Sequence, residues 1–499
     1  MIFAAALATA IEAAFTTPRT RHSIVAAEVY DLDAHRVLYA KNEQLLMVPA
    51  STTKVVTEGT TLSLLGASFR WTTPVYRTGP IDAQGTLHGD LVLVASGDPN
   101  LSQRVQPDGT LAFENEDHAY GGSPETKAVP GDPLAVLRDL AAQVVKAGIK
   151  SIDGRILVDT SLFPDQGPES GTGVVVSSIV VNDNVVDVTL TPGKKPGDPV
   201  SIAVSPVTPY VTFVNKATTG APKSDDTIDL SADVADASGR RTVTIVGSRA
   251  LGPSVLYAYP VPDPKRFAQE AFALALRDAG VTIAQPPAPQ VETKPSTPEY
   301  ASANLVAQHV SPPLAQDVYV TLKVSDNLHA ALMPYMWAIY VAHAKGDYLR
   351  AGFARARGLL QNAGLDLAGA AQQDGYGDAF FSARFMVRYL VWTKTQNWYS
   401  WFFRGLPIMG VDGTLAGIQT KSPARGNVFA KTGTDGSADF LNDGSVIEKG
   451  LAGFITTRHG RHVAFAFYLS AMKGPHGEDT GPVAGQILGA MATATYSSL

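Results

Sequence analysis

Val48-Pro49-Ala50-Ser51-Thr52-Thr53-Lys54-Val55-Val56 is the stretch on which the reading of the chain turns. Pro49 favours an extended residue before it and a helix start after it. From Ser51 on, Val55, Val56, Leu62, Leu64 and Leu65 recur at helical spacing, and Gly66 reads as the stop. Ser51 then sits in the first turn, where free backbone N–H groups and the positive dipole end favour a developing oxyanion. Lys54, three residues on, shares its face. A neutral amine held there can take the proton of the hydroxyl. A capping serine beside a solvated lysine spells the same letters, and S-x-x-K occurs about once by chance in a chain this long. The catalytic reading therefore needs two more parts. One relays a proton to the leaving atom. The other is a cationic strand that binds a substrate carboxylate and supplies a second oxyanion donor.

Both follow in order. Ser325-Asp326-Asn327 is an S-x-N element opening an apolar helical stretch, and Lys431-Thr432-Gly433-Thr434 is a K-T-G element on a short β-like run. A second S-x-N, Ser302-Ala303-Asn304, lies beside a proline-rich stretch and opens no long apolar helix, so it is set aside. His329 reads as a packed helix residue and Asp326 as pointing outward. Asp225-Asp226 and the pair Asp374/Asp378 read as loop charge. Without a histidine cluster no metal site is expected, and no cofactor. The Gly433–Gly436 loop lacks the lysine spacing of a phosphate cradle.

The 499 residues exceed one core, so two to four domains are expected. A hydrophobic content of 45% and a charged content of 17% describe an ordinary globular chain. The net charge of −6 gives no nucleic-acid footprint. Cysteine is absent, which excludes thiol nucleophiles and disulfides. No apolar run approaches the length of a membrane span. Ala4–Phe15 has Glu12 inside it and no basic flank, so it reads as an amphipathic first helix rather than a signal peptide.

Along the chain, Ser23–Tyr30 and Arg36–Tyr39 read as a hairpin. From Phe69 to about Asp159 short strands alternate with a loop-rich stretch and the helix Pro133–Ala147. Between about Val174 and Gly247 the pattern is almost wholly β. Ser254–Pro260 and the helix Pro264–Ala279 return to α/β character, and Gln285–Pro298, with five prolines, reads as a linker. Helices are expected over 325–342, with Pro334 kinking or splitting it, and over 346–363, 382–395 and 481–496. Strands are expected over 427–431, 451–457 and 462–470. The two first and three last strands make one antiparallel sheet with helices on both faces. Lys54 and Ser325 are 271 positions apart (325 − 54), while Ser325 and Lys431 are 106 apart (431 − 325). Whole extra domains must fill the first gap. The expected division is residues 1–68 and 299–499 for the catalytic domain, 69–167 and 248–298 for an inserted α/β domain, and 168–247 for a small nested β domain.

S-x-x-K, S-D-N and K-T-G in this order resemble the active site of serine penicillin-recognising enzymes. The chain resembles more specifically the class C low-molecular-mass penicillin-binding proteins, of the D-alanyl-D-alanine carboxypeptidase/endopeptidase type. Leu46–Lys54, Gly97-Asp98-Pro99-Asn100-Leu101, Val181–Val188, Leu406–Leu415 and Gly426–Thr434 carry the likeness, which runs from about residue 5 to the C-terminus. It implies an α+β multidomain protein: a penicillin-binding/β-lactamase-like transpeptidase domain with a five-stranded antiparallel sheet, carrying a nested two-domain insertion rich in β-structure. One departure stands out. Where the family reads D-G-S-G-L-S-R, this chain has Asp374-Gly375-Tyr376-Gly377-Asp378-Ala379-Phe380. Tyr376 and Phe380 replace the family's first Ser and its Arg, near the pocket for the acyl-side chain of the substrate.

The resemblance implies roles. Ser51 is the acyl-accepting nucleophile and Lys54 its base, pushed toward the neutral form by burial and by the positive Lys431. Ser325 relays a proton to the leaving amine, and Asn327 holds the substrate amide and Lys54. Lys431 and Thr432 bind the terminal carboxylate, and Gly433 lets substrate backbone lie close. The N–H groups of Ser51 and Thr434 form the oxyanion hole. The implied substrates are peptidoglycan stem peptides or related D-amino-acid peptides, with β-lactams as covalent inhibitors. The implied location is periplasmic or extracytoplasmic, any signal peptide being absent from this sequence. Oligomeric state is left open, a homodimer being one option. A D-amino-acid peptidase, esterase or β-lactamase on the same scaffold is the alternative, as is a catalytically silent peptidoglycan-binding protein.

Overall fold

The computed structural model describes residues 2–288 and 300–499. Most of the expected proline-rich linker, from Pro289 to Pro298, lies outside the described residues. The chain divides into two compact units, one of Met1–Phe69 with Pro313–Leu499 and one of Arg70–Pro312.

The first unit is built on five antiparallel strands: β1 Ile24–Asp31, β2 Arg36–Lys41, β3 Val428–Asp439, β4 Gly444–Thr456 and β5 His462–Pro475, in the order β2-β1-β5-β4-β3. The first hairpin and the last three strands close one sheet through β1 and β5, whose pairing runs from Ile24↔Ser470 to Asp31↔Val463. Period-two alternation decides the faces. Val463, Phe465, Phe467 and Leu469 join Val25, Ala27 and Val29 in a core that also takes Leu7, Ile11 and Phe15 of the first helix and Leu488, Met491 and Ala492 of the last. Glu12 of the first helix is not buried there; it accepts from Tyr39 and Lys41 of β2 at 2.6 and 3.1 Å. The opposite parity, Glu28 and Tyr30, faces helix Ala383–Thr393, where Arg384 pairs with Glu28 and Arg388 lies over the Tyr30 ring. Helices therefore cover both faces, as expected.

The nucleophile segment forms a 3₁₀ turn, Ala50–Thr52, followed by α1, Thr53–Leu65, which ends at Gly66 with φ 87°. Two helices meet at the S-x-N element: α2, Leu314–Val324, and α3, Asn327–Met336. Pro334 does not split α3, which continues into a π-helical turn over Trp337–Val341. Among the described residues no helix is long and apolar enough to cross a membrane.

In the second unit, a four-stranded sheet orders Leu305–Val310, Thr72–Arg77, Leu91–Val94 and Ile156–Asp159. Leu305–Val310, expected in the first unit, pairs with Thr72–Arg77 instead, so the boundary falls at 312/313 rather than 298/299. The three-part division stays a proposal. Val255–Pro260, expected in the α/β part, pairs with Val185–Thr191 of the nested part, and one core joins Val75 and Phe272 to Val188 and Val243. The two insert segments that carry the family likeness run side by side, bridged at Leu101↔Val181. Next to them, buried Arg104 pairs with Asp117 and Asp183 at 2.7 and 2.6 Å.

Candidate active site

Ser51 and Lys54 meet as their spacing predicts. The Lys54 side chain is fully buried, and its Nζ lies 2.9 Å from Ser51 Oγ, 2.6 Å from Asn327 Oδ1 and 3.1 Å from the Tyr376 carbonyl oxygen. Asn327 Oδ1 and a carbonyl oxygen can only accept. In a neutral amine they take its two hydrogens, and the lone pair is left facing the Ser51 hydroxyl. Two pieces of chain far apart in sequence thus orient the base.

Ser325 closes α2 in the left-handed conformation, φ 68°, and Ala50, just before the nucleophile, has φ 46°. Each such non-glycine residue costs about 1–3 kcal/mol, a cost that persists where the surroundings fix it, often at functional sites. The turn at Ser325 directs its hydroxyl to Lys431, whose Nζ donates to Ser325 Oγ at 2.8 Å and to the Thr432 carbonyl at 2.8 Å. Lys431 is fully buried, and its pKa is driven well below the ordinary lysine range by that burial and by the nearby Lys54 and Lys449. Burial and the neighbouring lysines thus disfavour the ammonium at a position expected to be cationic.

The edge strand β3 is seated directly on the nucleophile turn. A Cβ built on Gly433 would lie 2.2 Å from Pro49 O, 3.0 Å from Thr52 N and 3.1 Å from Ser51 N. Ala430 N–H donates to Pro407 O on the outer side of β3. Thr432 and Thr434 have the same parity, so their backbone groups point along the same open edge. Thr432 Oγ1 donates to Thr414 Oγ1 at 2.7 Å.

Sequence reasoning missed one participant. The Asp374–Asp378 loop, whose two acids read as loop charge, presents the Tyr376 carbonyl to Lys54. Asp374 Oδ1 organises that loop by accepting from the N–H groups of Tyr376, Gly377 and Asp378 at 2.9, 2.8 and 3.0 Å. Gly375 is pinned by Thr57 Oγ1, which donates to its carbonyl at 2.6 Å. The only sequence signal was the turn composition. Asp326 also differs from expectation. It is buried and caps α3 by accepting from His329 N at 3.1 Å. His329 is packed as expected, buried with Nδ1 2.8 Å from Asp317 Oδ1. Phe380 is 41% exposed, and its neighbour Phe381 bridges to Met47, just ahead of the nucleophile segment. Ser302-Ala303-Asn304 forms an exposed turn in the second unit.

The model of the D-Ala-D-Ala carboxypeptidase 3 (S13) family matches residues 7–487. The chain belongs to that family. It is accordingly a serine-type D-Ala-D-Ala carboxypeptidase, a hydrolase of peptidoglycan peptides, and the resemblance drawn from the three motifs is borne out. Among curated relatives, the D-alanyl-D-alanine carboxypeptidase of Actinomadura sp. (strain R39) is 25% identical over 448 residues, 85% of this chain and 75% of the relative. The D-alanyl-D-alanine carboxypeptidase DacB of Haemophilus influenzae is 24% identical over 460 residues, 88% and 84% of the two chains. A crystal structure of penicillin-binding protein 4 from Haemophilus influenzae shares the fold, with a TM-score of 0.70, 22% identity and 97% coverage of both chains.

Proposed function

We propose that this S13 enzyme works through an acyl-enzyme on Ser51. Ser51 Oγ attacks the carbonyl carbon before a C-terminal D-alanine, and its proton passes to the Lys54 nitrogen. The backbone N–H groups of Ser51 and Thr434 hold the oxyanion. When the intermediate collapses, the C–N bond breaks and the proton taken up by Lys54 is relayed through Ser325 to the leaving amine, which returns Lys54 to its neutral form. Asn327 holds the substrate amide, and Lys431 with Thr432 binds the terminal carboxylate. The approaching anion restores the positive charge that burial withholds from Lys431. Water then hydrolyses the ester and frees Ser51.

The observation that carries this reading is the three-way seat of Lys54 among Ser51, Asn327 and the Tyr376 carbonyl. β-Lactams present a similar amide, so they acylate the same serine, and the enzyme meets its substrate outside the cytoplasm. Intact-mass spectrometry after penicillin treatment tests the assignment. One adduct is expected, absent in Ser51→Ala. No adduct on the native chain, or one that survives Ser51→Ala, overturns it.

Tyr376 and exposed Phe380 favour a finer reading of side-chain preference. Neither carries a charge, so the site accepts uncharged acyl-side residues in preference to anionic ones. Relative kcat/KM on D-Ala-D-Ala peptides with neutral and acidic side chains checks it. A preference for the acidic peptide contradicts it.

A further inference from the structure

A third lysine stands behind the substrate strand, and no motif contains it. Lys449 on β4 pairs directly across from Thr434 on β3, so their side chains share one face of the sheet. Lys449 is buried, 8% exposed, whereas Thr434 is exposed. The Lys449 ammonium donates to Thr434 Oγ1. An ammonium has donors only, so the threonine oxygen must accept, and its own hydrogen is left to be given elsewhere. Among the described residues no acceptor takes it. A buried cation therefore sits beside an exposed threonine whose hydroxyl hydrogen is left to be donated, one residue beyond Gly433 on the strand that borders Ser51.

We propose that Lys449 is a positioning residue for the free C-terminal carboxylate of the substrate, acting through the Thr434 hydroxyl. The inference rests on the acyl-enzyme reading above and adds to it a source of selectivity for acid-terminated over amide-terminated peptides. Lys449 fixes the Thr434 rotor as a donor and lends its charge to that hydrogen bond. The carboxylate is then met by Lys431 and Thr432 from one side and by Thr434 from the other.

The charged groups around Lys449 are few. Lys431 stands on the neighbouring strand, and Asp479 caps the last helix, Thr480–Ser498, where Gly485 lies against the Lys449 stem. Asp435 and Glu448, one position along, point to the other face by strand alternation. Burial pulls Lys449 down to about 8, against a raising pull from Asp479. The charge behind Thr434 is thus present at neutral pH and lost as the pH rises past that value.

The test measures KM and kcat for an acetylated D-Ala-D-Ala peptide and for its C-terminal amide, from pH 6.5 to 9.5, in the native enzyme, Lys449→Met and Thr434→Val. Lys449→Met raises KM for the acid by about 10- to 100-fold, the worth of one charge-assisted hydrogen bond, while kcat and the amide's kinetics stay within about threefold. Thr434→Val also raises KM for the acid, and the double variant adds little to the loss of either single variant. The native preference for the acid declines above about pH 8, and that decline is absent in Lys449→Met. Equal losses on acid and amide, or additive losses in the double variant, overturn the proposal. If Lys449→Met does not fold, Thr434→Val and the native pH profile decide it, since an unchanged acid preference in both contradicts it. A native enzyme that turns over neither peptide and takes no penicillin adduct defeats the acyl-enzyme reading itself, whatever Lys449 does.

Discussion

The side-chain nitrogen of the fully buried Lys54 stands 2.9 Å from the hydroxyl oxygen of half-buried Ser51. Asn327 and the Tyr376 carbonyl hold that nitrogen from behind. Such a base acts by geometry first and basicity second. Lys54→Met keeps the volume of the stem and removes the acceptor. Its penicillin acylation rate is expected to fall about 10²- to 10⁴-fold, the usual worth of a general base. Asn327→Ala loses less, because the Tyr376 carbonyl still orients the amine. Time-resolved adduct formation by mass spectrometry checks both. A Lys54→Met rate near the native one removes Lys54 from the reaction.

One turn further along the same helix lies Glu58, fully buried, with no hydrogen-bond partner on either oxygen among the described residues. Burial, and then the nearby Asp317, raise its pKa well above the ordinary carboxylate range, against the pulls of His329 and Lys54. The folded state therefore holds this proton more tightly than the unfolded chain does. Its contribution to stability is intact below the unfolded value, about 4.3, and is lost as the pH rises toward the folded one. Glu58→Gln removes the titration. The variant is expected to gain on the native protein between about pH 5 and 8, by about 1–3 kcal/mol at most. Melting temperatures of both proteins across that range check it. A gap that does not widen with pH contradicts it.

How much of this was legible in the letters depends on what kind of group does the work. Ser51, Lys54, Ser325, Asn327 and Lys431 are side chains of rare suitability at fixed spacings, and within the first unit the structure hydrogen-bonds Lys54 to Ser51 and Asn327, and Lys431 to Ser325. The Tyr376 carbonyl is backbone, which every residue has, so no residue type announced it. The last hairpin was expected as two short strands, over 427–431 and 451–457. It runs to Asp439 on one side and starts at Gly444 on the other. Gly433, Asp435, Gly436 and Asp439 read locally as a loop, but a partner strand paired throughout overrides that propensity. Leu314–Val324 went unread because Val318, Val320 and Val324 suit a strand as well as a helix. Tertiary packing, including the Lys323 side chain held by Asp412 at 2.7 Å, decides for the helix. Asp326 was expected to face water because charge usually does; the orphan N–H groups of α3 claim it instead.

Lys431 carries a cost with the opposite pH dependence to that of Glu58. Its folded pKa lies well below the lysine value of 10.5, so the unfolded chain binds the proton more readily. Folding is penalised as the pH falls from 10.5 toward the folded value, and the penalty stays constant below it. Lys431→Met is therefore expected to raise the melting temperature at pH 7 while abolishing turnover of a D-Ala-D-Ala peptide, a trade of stability against function. Calorimetry paired with a D-alanine release assay checks it. A variant that is both less stable and inactive identifies Lys431 as a structural lysine.

Gly433 makes the sharpest steric case. Its hypothetical Cβ meets Pro49 O at 2.2 Å, closer than any real contact allows, with Thr52 N and Ser51 N just beyond. The obstacle is backbone in the turn that carries the nucleophile, so no side chain can swing away to relieve it. Gly433→Ala must push β3 from the Ser51 turn, or the turn from β3. Either movement separates the Ser51 and Thr434 N–H groups that hold the oxyanion. The pairing of β3 with β4 from Val428↔Ile455 to Asp439↔Gly444 keeps the strand in its sheet, so the fold survives at a cost of about 1–3 kcal/mol. Acylation by penicillin is expected to slow by about 10²- to 10³-fold, as when an oxyanion donor is lost. Gly436→Ala serves as the control, because its Cβ first meets only the flexible end of Ile447, at 2.8 Å. Acylation rates and melting curves of the two variants, side by side, separate damage to the seat of Ser51 from damage to the strand. Similar acylation rates in both mean that the approach of β3 to the Ser51 turn does not limit the chemistry.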